Sequence, residues 1–497
     1  MNRDSPTVGK GYADLEYPED MLALIRDGLP KTNCPKKVLI AGAGMAGLVA
    51  GLLLKEAGNE VTILEGNGRF GGRVYTIREP FHPGNYMEMG AMRLPDTHKL
   101  VFEYIRRFNL PVNKFNNTNP QDLFFANNIL TTRAIYNENP DILQFPVEDW
   151  EKGITAQDLF LNAVRPFLDR YRQASDEEKE QMEQQFSSYS MEEFLSDNPY
   201  GRSLSPAAIA SISVLLGIEG FPEFSFVDIL TDVAYPIFSE EVQFYEITGG
   251  NDQLPAAFVA RLQDNILYNQ KVEKIIQTDN GVIMQTRNPM TGATHSFTGD
   301  YAIITIPFTS LQFVDVIPHN SISFNKRRAI RELNVLPAVK IGIEFRNKFW
   351  EQQNLGNATT DTLTNFSYIP SHNIGTPGPG VMLASYTWGQ NALLWNSLPQ
   401  SEHISYALDG LSKVYGPQVY REFLQGVSFN WGQNPFSAGC FTLFTPPQQK
   451  NFKEIIQQPE GRLHFAGEHT SSFHGWIEGA IESGIRTAYE VNSRECP

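Results

Sequence analysis

The 497-residue sequence predicts an α/β protein. A parallel-sheet domain is made from separated pieces, interrupted by a mixed-sheet domain and by a helical insertion. Three observations predict this. An apolar run from Val38 passes through a glycine-rich loop into a second apolar run that ends at Glu65. Strand patterns return after residue 240 and again near the C-terminus. Between them, Ile154 to Asp197 is rich in Glu, Gln, Asp and Leu, with apolar residues at helical spacing.

The elements follow in order. Residues 1–35 form a leader with one short helix, Pro18 to Asp27, where proline suits the first turn and Gly28 the stop. Then comes Gly42-Ala-Gly44-Met-Ala46-Gly47 between two strands, the Rossmann-like dinucleotide fingerprint. Gly42 allows the tight turn and Gly44 lets backbone approach a pyrophosphate. Gly47 lets the helix pack on the strand, and Ala46 lies in the same turn. Helix N–H groups and the positive helix end face the phosphates. Glu65 can accept hydrogen bonds from the adenosine ribose hydroxyls. Val38 to Leu54 is uncharged and near the lower length of a membrane span, about 17 residues. Its four glycines and the charges that close both ends favour the dinucleotide reading.

Arg69-Phe-Gly71-Gly72-Arg73 follows the second strand directly. A nicotinamide enzyme has no need of this element. Gly71 and Gly72 bring the chain close to the cofactor, and Arg73 sets a cation beside phosphate. FAD is therefore expected over NAD. A helix is expected at Thr97 to Phe108. In the helical region Leu159, Val164, Phe167, Leu168 and Tyr171 mark one face, and Pro206 to Gly217 reads as a buried helix. The Asp176 to Glu180 charge run reads as a solvated face. Paired strands are expected at Lys271–Ile275 and Gly281–Thr286, and a buried strand at Tyr301–Ile306. A half-buried alternating strand is expected at Ala338–Phe345, and another strand at Val381–Tyr386. A last helix runs from Gly475 to about Asn492.

The cofactor domain is thus expected over 36–77, 251–318 and 456–497. The substrate-binding domain takes 78–130, 235–250 and 319–455, and the helical domain 131–234.

Net charge is −16 and no Lys/Arg run occurs, which speaks against a nucleic-acid partner. Three cysteines, Cys34, Cys440 and Cys496, offer no disulfide framework and suit a reducing compartment. With no early apolar segment after Met1, a cytoplasmic protein without a membrane partner is expected. No metal site is expected.

These motifs resemble the flavin amine oxidases, and within them the L-amino acid oxidases, over about Tyr12 to Asn492. Gly42 to Gly47, Glu65 and Gly71-Gly72-Arg73 match the family's FAD elements. Gly90-Ala91-Met92-Arg93-Leu-Pro matches the segment whose arginine binds a substrate carboxylate. The resemblance places Val272 at adenine and makes Lys340 the lysine that holds a water near flavin N5. It sets Phe465-Ala-Gly467-Glu468 and His474-Gly475-Trp476-Ile477 in the C-terminal FAD motif. Arg93 sits in a Met-rich segment, where a guanidinium needs a planar anion. Tyr386 could give that carboxylate a second hydrogen bond, and Phe441 and Trp476 would flank the substrate.

The activity implied is oxidation of L-amino acids, bulky apolar or aromatic ones, to 2-oxo acids, ammonia and hydrogen peroxide. Oxygen is the second substrate. A homodimer is implied by similar proteins. An amino-acid 2-monooxygenase, a monoamine oxidase and a flavin-bound binding protein without turnover are the alternatives. The secreted venom branch carries a helical-domain histidine that Phe226 to Tyr245 lacks; Asp228, Asp232 and Glu240 are the polar groups there. Cys440, nine residues after Trp431, is similar to the cysteine that bonds the flavin in monoamine oxidase. Non-covalent FAD is the expectation nonetheless, because the amino-acid oxidases hold FAD without such a bond.

Overall fold

In a computed structural model, residues 15–217, 222–230 and 242–495 are described. A five-stranded parallel sheet runs in the order Ile266–Leu267, Glu60–Leu64, Lys37–Ala41, Tyr301–Ile304, Leu463–Phe465. Its strands come from three stretches of sequence far apart. Side chains alternate across it. Val38 and Ile40 face a layer of helices, Met45–Ala57, Gln253–Leu262 and Ile477–Asn492. Leu39 and Ala41 face a second layer that holds Val272, Ile275 and Met284. Both faces are covered, which is why the first strand reads as an unbroken apolar run.

Helix Met45–Ala57 is apolar because it is buried beneath Ile477–Asn492, and no helix among the described residues is long and apolar enough to cross a membrane. The N-terminal helix Glu19–Asp27 ends at Gly28 and buries Met21 and Ile25 in the same layer.

A second sheet has seven strands in the order Phe423–Asn430, Ala338–Phe345, Gly380–Trp388, Phe366–Tyr368, Ala358–Thr360, Leu123–Ala126, Ile129–Thr132. Ala338–Phe345 was expected to be half-buried, but all eight residues are buried. The alternation is real: Val339, Ile341, Ile343 and Phe345 enter one core. The opposite face is covered too, since Gly342 packs against Met87. Strand Ile129–Thr132 crosses the expected domain boundary at 130/131, because it pairs with Leu123–Ala126. Helix Phe324–Glu332, expected in the substrate domain, instead packs Ala329 and Ile330 against the parallel sheet.

The helical insertion gathers Ala156–Gln173, Asp176–Phe186, Met191–Ser196 and Pro206–Leu216 around Leu159, Val164 and Phe167. Ser175 and Glu178 cap the second of these reciprocally, which explains the charge run as a helix start. Cys34 is disulfide-bonded and Cys440 is free. The expectation of no disulfide is corrected, and the support it lent to a reducing compartment goes with it.

Candidate active site

A cavity of about 690 Å³ runs between the two sheets and the helical insertion. Gly42, Gly44, Ala46, Glu65, Gly72, Arg73 and Val272 line one end. There helix Met45–Ala57 begins at Gly44 with no capping side chain and no acidic residue in its first turn. Its first N–H groups and its positive end are left to a ligand. Glu65 accepts the Ala43 N–H on Oε2 and the Asn67 N–H on Oε1, each at 2.7 Å. Burial raises its pKa while those two N–H groups pull it back. Each carboxylate oxygen keeps a lone pair for a hydroxyl. The two glycine elements are tied together, since the Gly71 N–H donates to the Ala43 carbonyl at 2.8 Å.

Gly47 is not on this wall. A Cβ there would lie 2.1 Å from the Gly42 carbonyl oxygen. Its part is to let helix and loop touch.

Arg73 was expected as a fixed cation beside phosphate. Its Nη1 donates to the Cys440 carbonyl at 2.9 Å and to Glu468 Oε1 at 2.5 Å. Glu468 Oε2 also accepts the Gly475 N–H at 2.9 Å. Burial pushes the Glu468 carboxyl up, but Arg73, then His469, His474 and the Gly475 N–H, outweigh it and hold it at about 2. The pair joins the loops at Gly72, Cys440, Gly467 and Gly475. Its charges are matched to each other, and both residues still line the cavity.

Gly90, Ala91, Met92 and Arg93 run along the middle of the cavity, with Ala91 N–H on the Arg73 carbonyl. Trp431 closes that side and donates from Nε1 to the Met89 carbonyl at 2.7 Å. Gly467, Gly475, Trp476 and Ile477 line the opposite wall at the start of the last helix, and Gly475 packs against the Phe441 ring. Arg93 donates from Nη1 to Asn117 Oδ1 at 2.7 Å, and its guanidinium stands 5.3 Å from the centre of the Phe244 ring. Among the described residues no carboxylate bridges it. Tyr386 lines the same cavity near the end of its strand.

Lys340 lies behind this wall. Its Nζ donates to the carbonyls of Gly90 at 2.7 Å and Glu88 at 3.1 Å, and sits 4.3 Å from the Tyr386 ring centre. Burial lowers its pKa to about 8, opposed by Cys440 and Glu88. Two of its three N–H groups are spoken for, so one remains for a water.

Several cavity residues escaped the sequence reading. Asn117 orients Arg93 from 24 positions away. Phe244, Phe366 and Trp388 supply aromatic walls. His98 is buried edge-on to Trp476 at 4.9 Å, and neither ring nitrogen has a hydrogen-bond partner among the described residues. Burial lowers its pKa to about 3. His474, read as structural, pairs its Nδ1 with Asp228 Oδ1 at 3.1 Å, and Asp228 also accepts the Phe444 N–H. That pair ties the helical insertion to the last FAD-motif loop. Asp232 and Glu240 lie outside the described residues. For His98 a signal existed, five residues after Arg93 at a helix start; for the aromatic walls none did.

Comparison with known proteins identifies the family. The family model for flavin containing amine oxidoreductases matches residues 45–492. The chain is 48% identical over 476 residues to "Putative L-amino-acid oxidase YobN" of Bacillus subtilis (strain 168), covering 95% of this chain and 98% of that one. It is 34% identical over 496 residues to an L-amino-acid oxidase of Siganus canaliculatus, covering 97% and 92%. Among solved structures, cyclohexylamine oxidase from Brevibacterium oxydans IH-35A superposes with a TM-score of 0.72 at 19% identity, covering 92% of this chain and 98% of that one. The chain is a flavin-dependent amine oxidase and belongs to the flavin-containing amine oxidoreductase family.

Proposed function

We propose that this protein is an L-amino acid oxidase that converts bulky apolar or aromatic L-amino acids to 2-oxo acids, ammonia and hydrogen peroxide. The observation that carries the reading is Arg93, a cation in the cavity wall oriented by an amide oxygen and an aromatic face, with no carboxylate among the described residues to neutralise it. A planar anion is its natural partner. The two relatives whose names specify L-amino-acid oxidase match over nearly their full lengths, which supports the same reading.

The residues present fit FAD. The uncapped helix at Gly44 suits a pyrophosphate, Glu65 a ribose, and Val272 lies in the wall beside them. Gly90 to Met92, Gly467, Trp431 and the Trp476–Ile477 turn would hold the remainder. When bound, the flavin supplies the two-electron acceptor for the substrate and passes the electrons to oxygen. The protein supplies orientation. Arg93 and the Tyr386 hydroxyl hold the carboxylate, and Phe441 and Trp476 bound the substrate between apolar faces. The Tyr386 phenol stays protonated, because burial raises its pKa far above neutral. Lys340 Nζ can hold or release a proton near pH 8 next to Gly90.

FAD is proposed to be non-covalent. Burial pushes the Cys440 thiol up to about 12, which leaves little thiolate to form a thioether at the flavin 8α-methyl carbon. Yellow colour left in an acid-precipitated pellet would show otherwise. A homodimer is part of the proposal, read by light scattering.

The main test is anaerobic mixing of the yellow protein with L-amino acids, D-amino acids and simple amines, followed by peroxide and product assays. Bleaching by L-amino acids with release of 2-oxo acid is expected. Bleaching by amines alone, or an amide product, would replace the reading with a monoamine oxidase or a monooxygenase. No bleaching by any of them would favour a binding protein.

A further inference from the structure

Three neighbouring strands bring Lys340, Tyr386 and Phe366 into one row, since Tyr386 is in register with Lys340 on one side and Phe366 on the other. Residues opposite one another in neighbouring strands share a face. Trp388 lies two residues beyond Tyr386, so it shares that face as well. Its ring centre is 4.4 Å from Tyr386 and 5.2 Å from Phe366. All three aromatic rings line the cavity.

The far side of Phe366 is closed by another part of the molecule. Helix Pro206–Leu216 of the insertion ends at Gly217, which has a left-handed φ of 78°. Leu215, Leu216 and Gly217 line the cavity too. A Cβ at position 217 would lie 3.1 Å from Phe366 Cζ and 3.4 Å from its Cε1. The tip of the ring therefore rests on a place where a side chain is missing. Trp388 holds its flank.

We propose that Phe366, seated against Gly217, sets the length of side chain that the substrate cavity admits. This rests on the amino-acid oxidase reading, in which Arg93 and Tyr386 hold the carboxylate. A substrate so held extends its side chain along the wall that begins at Tyr386, and Phe366 is the next residue in that row. Removing the ring lengthens the space. Adding a methyl at Gly217 drives the ring inward.

The probes are 4-methylpentanoate and indole-3-propionate, which have a carboxylate and a side chain and no amine to oxidise. Their binding to the FAD-loaded protein is read from the shift they cause in the flavin spectrum. Phe366→Ala should raise the affinity ratio of the indole acid to the methyl acid by roughly tenfold or more, and Phe366→Leu by less. Gly217→Ala should lower the ratio; if it fails to fold, the two Phe366 variants decide. A ratio unchanged within about twofold in Phe366→Ala, or no binding of either acid to the unaltered protein, overturns the proposal. Bleaching by L-amino acids with an unmoved ratio would sink the pocket assignment and leave the function standing. A moved ratio without bleaching would do the reverse.

Discussion

At the glycine-loop end of the cavity, the groups offered to a ligand are chiefly backbone N–H groups and the Glu65 carboxylate, from residues 42–73, with Val272 in the wall beside them. Beyond that end, Arg93, Phe366, Tyr386 and Phe441 arrive from four separated segments and offer side chains, with Gly217 behind Phe366. The first end is held by contacts that a local motif implies, strand to loop to helix. The second is held by the register of a seven-stranded sheet and the end of an inserted helix. A flavin shared across the family suits the first kind of construction. A substrate pocket that has to differ among amine oxidases suits the second, because side chains can change without disturbing the backbone cradle.

The largest effect is expected where the two ends are joined. Glu468→Ala leaves Arg73 without its matched charge and frees the Gly475 N–H. Breaking such a buried pair costs about 3–5 kcal/mol, so a low melting temperature and depleted FAD are expected. The sign with pH follows: a carboxyl held at about 2 stabilises the fold above the unfolded value near 4.5. That contribution is lost as pH falls from about 4.5 towards 2. An unaltered protein and Glu468→Ala should therefore converge in stability at the acid end of that window, as acid titration of the melting temperature would measure.

Next in size is Arg93→Ala. It should retain FAD and lose about a hundredfold or more in kcat/KM for amino acids, with far less loss for amines that lack a carboxylate. Equal loss for both substrate types would make Arg93 part of the scaffold, and the division between the two ends would fail.

Glu88 sharpens the comparison from beneath. It accepts the Thr76 hydroxyl and the Asn251 N–H under the Gly90 segment, and burial raises its pKa to about 8 against those two bonds. A raised carboxyl binds its proton in the folded state, so it costs stability increasingly as pH rises from about 4.5 to 8. Glu88→Gln should be near neutral at pH 5 and more stable than the parent at pH 8, by on the order of 1 kcal/mol or more. A melting-temperature gap that does not grow with pH would refute this.

The smallest effect is expected at Cys440. Cys440→Ala removes one sulfur from a packed site and should change stability by about 1 kcal/mol, with FAD content unchanged. Loss of pellet-bound flavin colour in that variant would convert the cofactor end from a backbone cradle into a covalent site.

The sequence by itself determined the α/β class, the dinucleotide loop, the paired Gly71–Gly72 element and the ends of several helices. Each depends on neighbours within a few turns of chain: glycines where backbone must touch, Ser175 and Gly28 at helix ends, apolar runs where both sheet faces are covered. It also marked Arg93 as a charge in apolar company and, by resemblance, set Glu468 in the C-terminal FAD motif, without the partners that decide what those charges do. Only the tertiary structure decided that Glu468 neutralises Arg73 across 395 positions, and that Asn117 orients Arg93. It likewise decided that Lys340 is enclosed by two carbonyls and a ring, and that Phe366 meets Gly217. The physical reason is the range of the interactions. Backbone conformation and helix capping are settled by adjacent residues. Charge pairing and cavity shape depend on which distant segments a sheet register and a helix end bring to the same few ångströms.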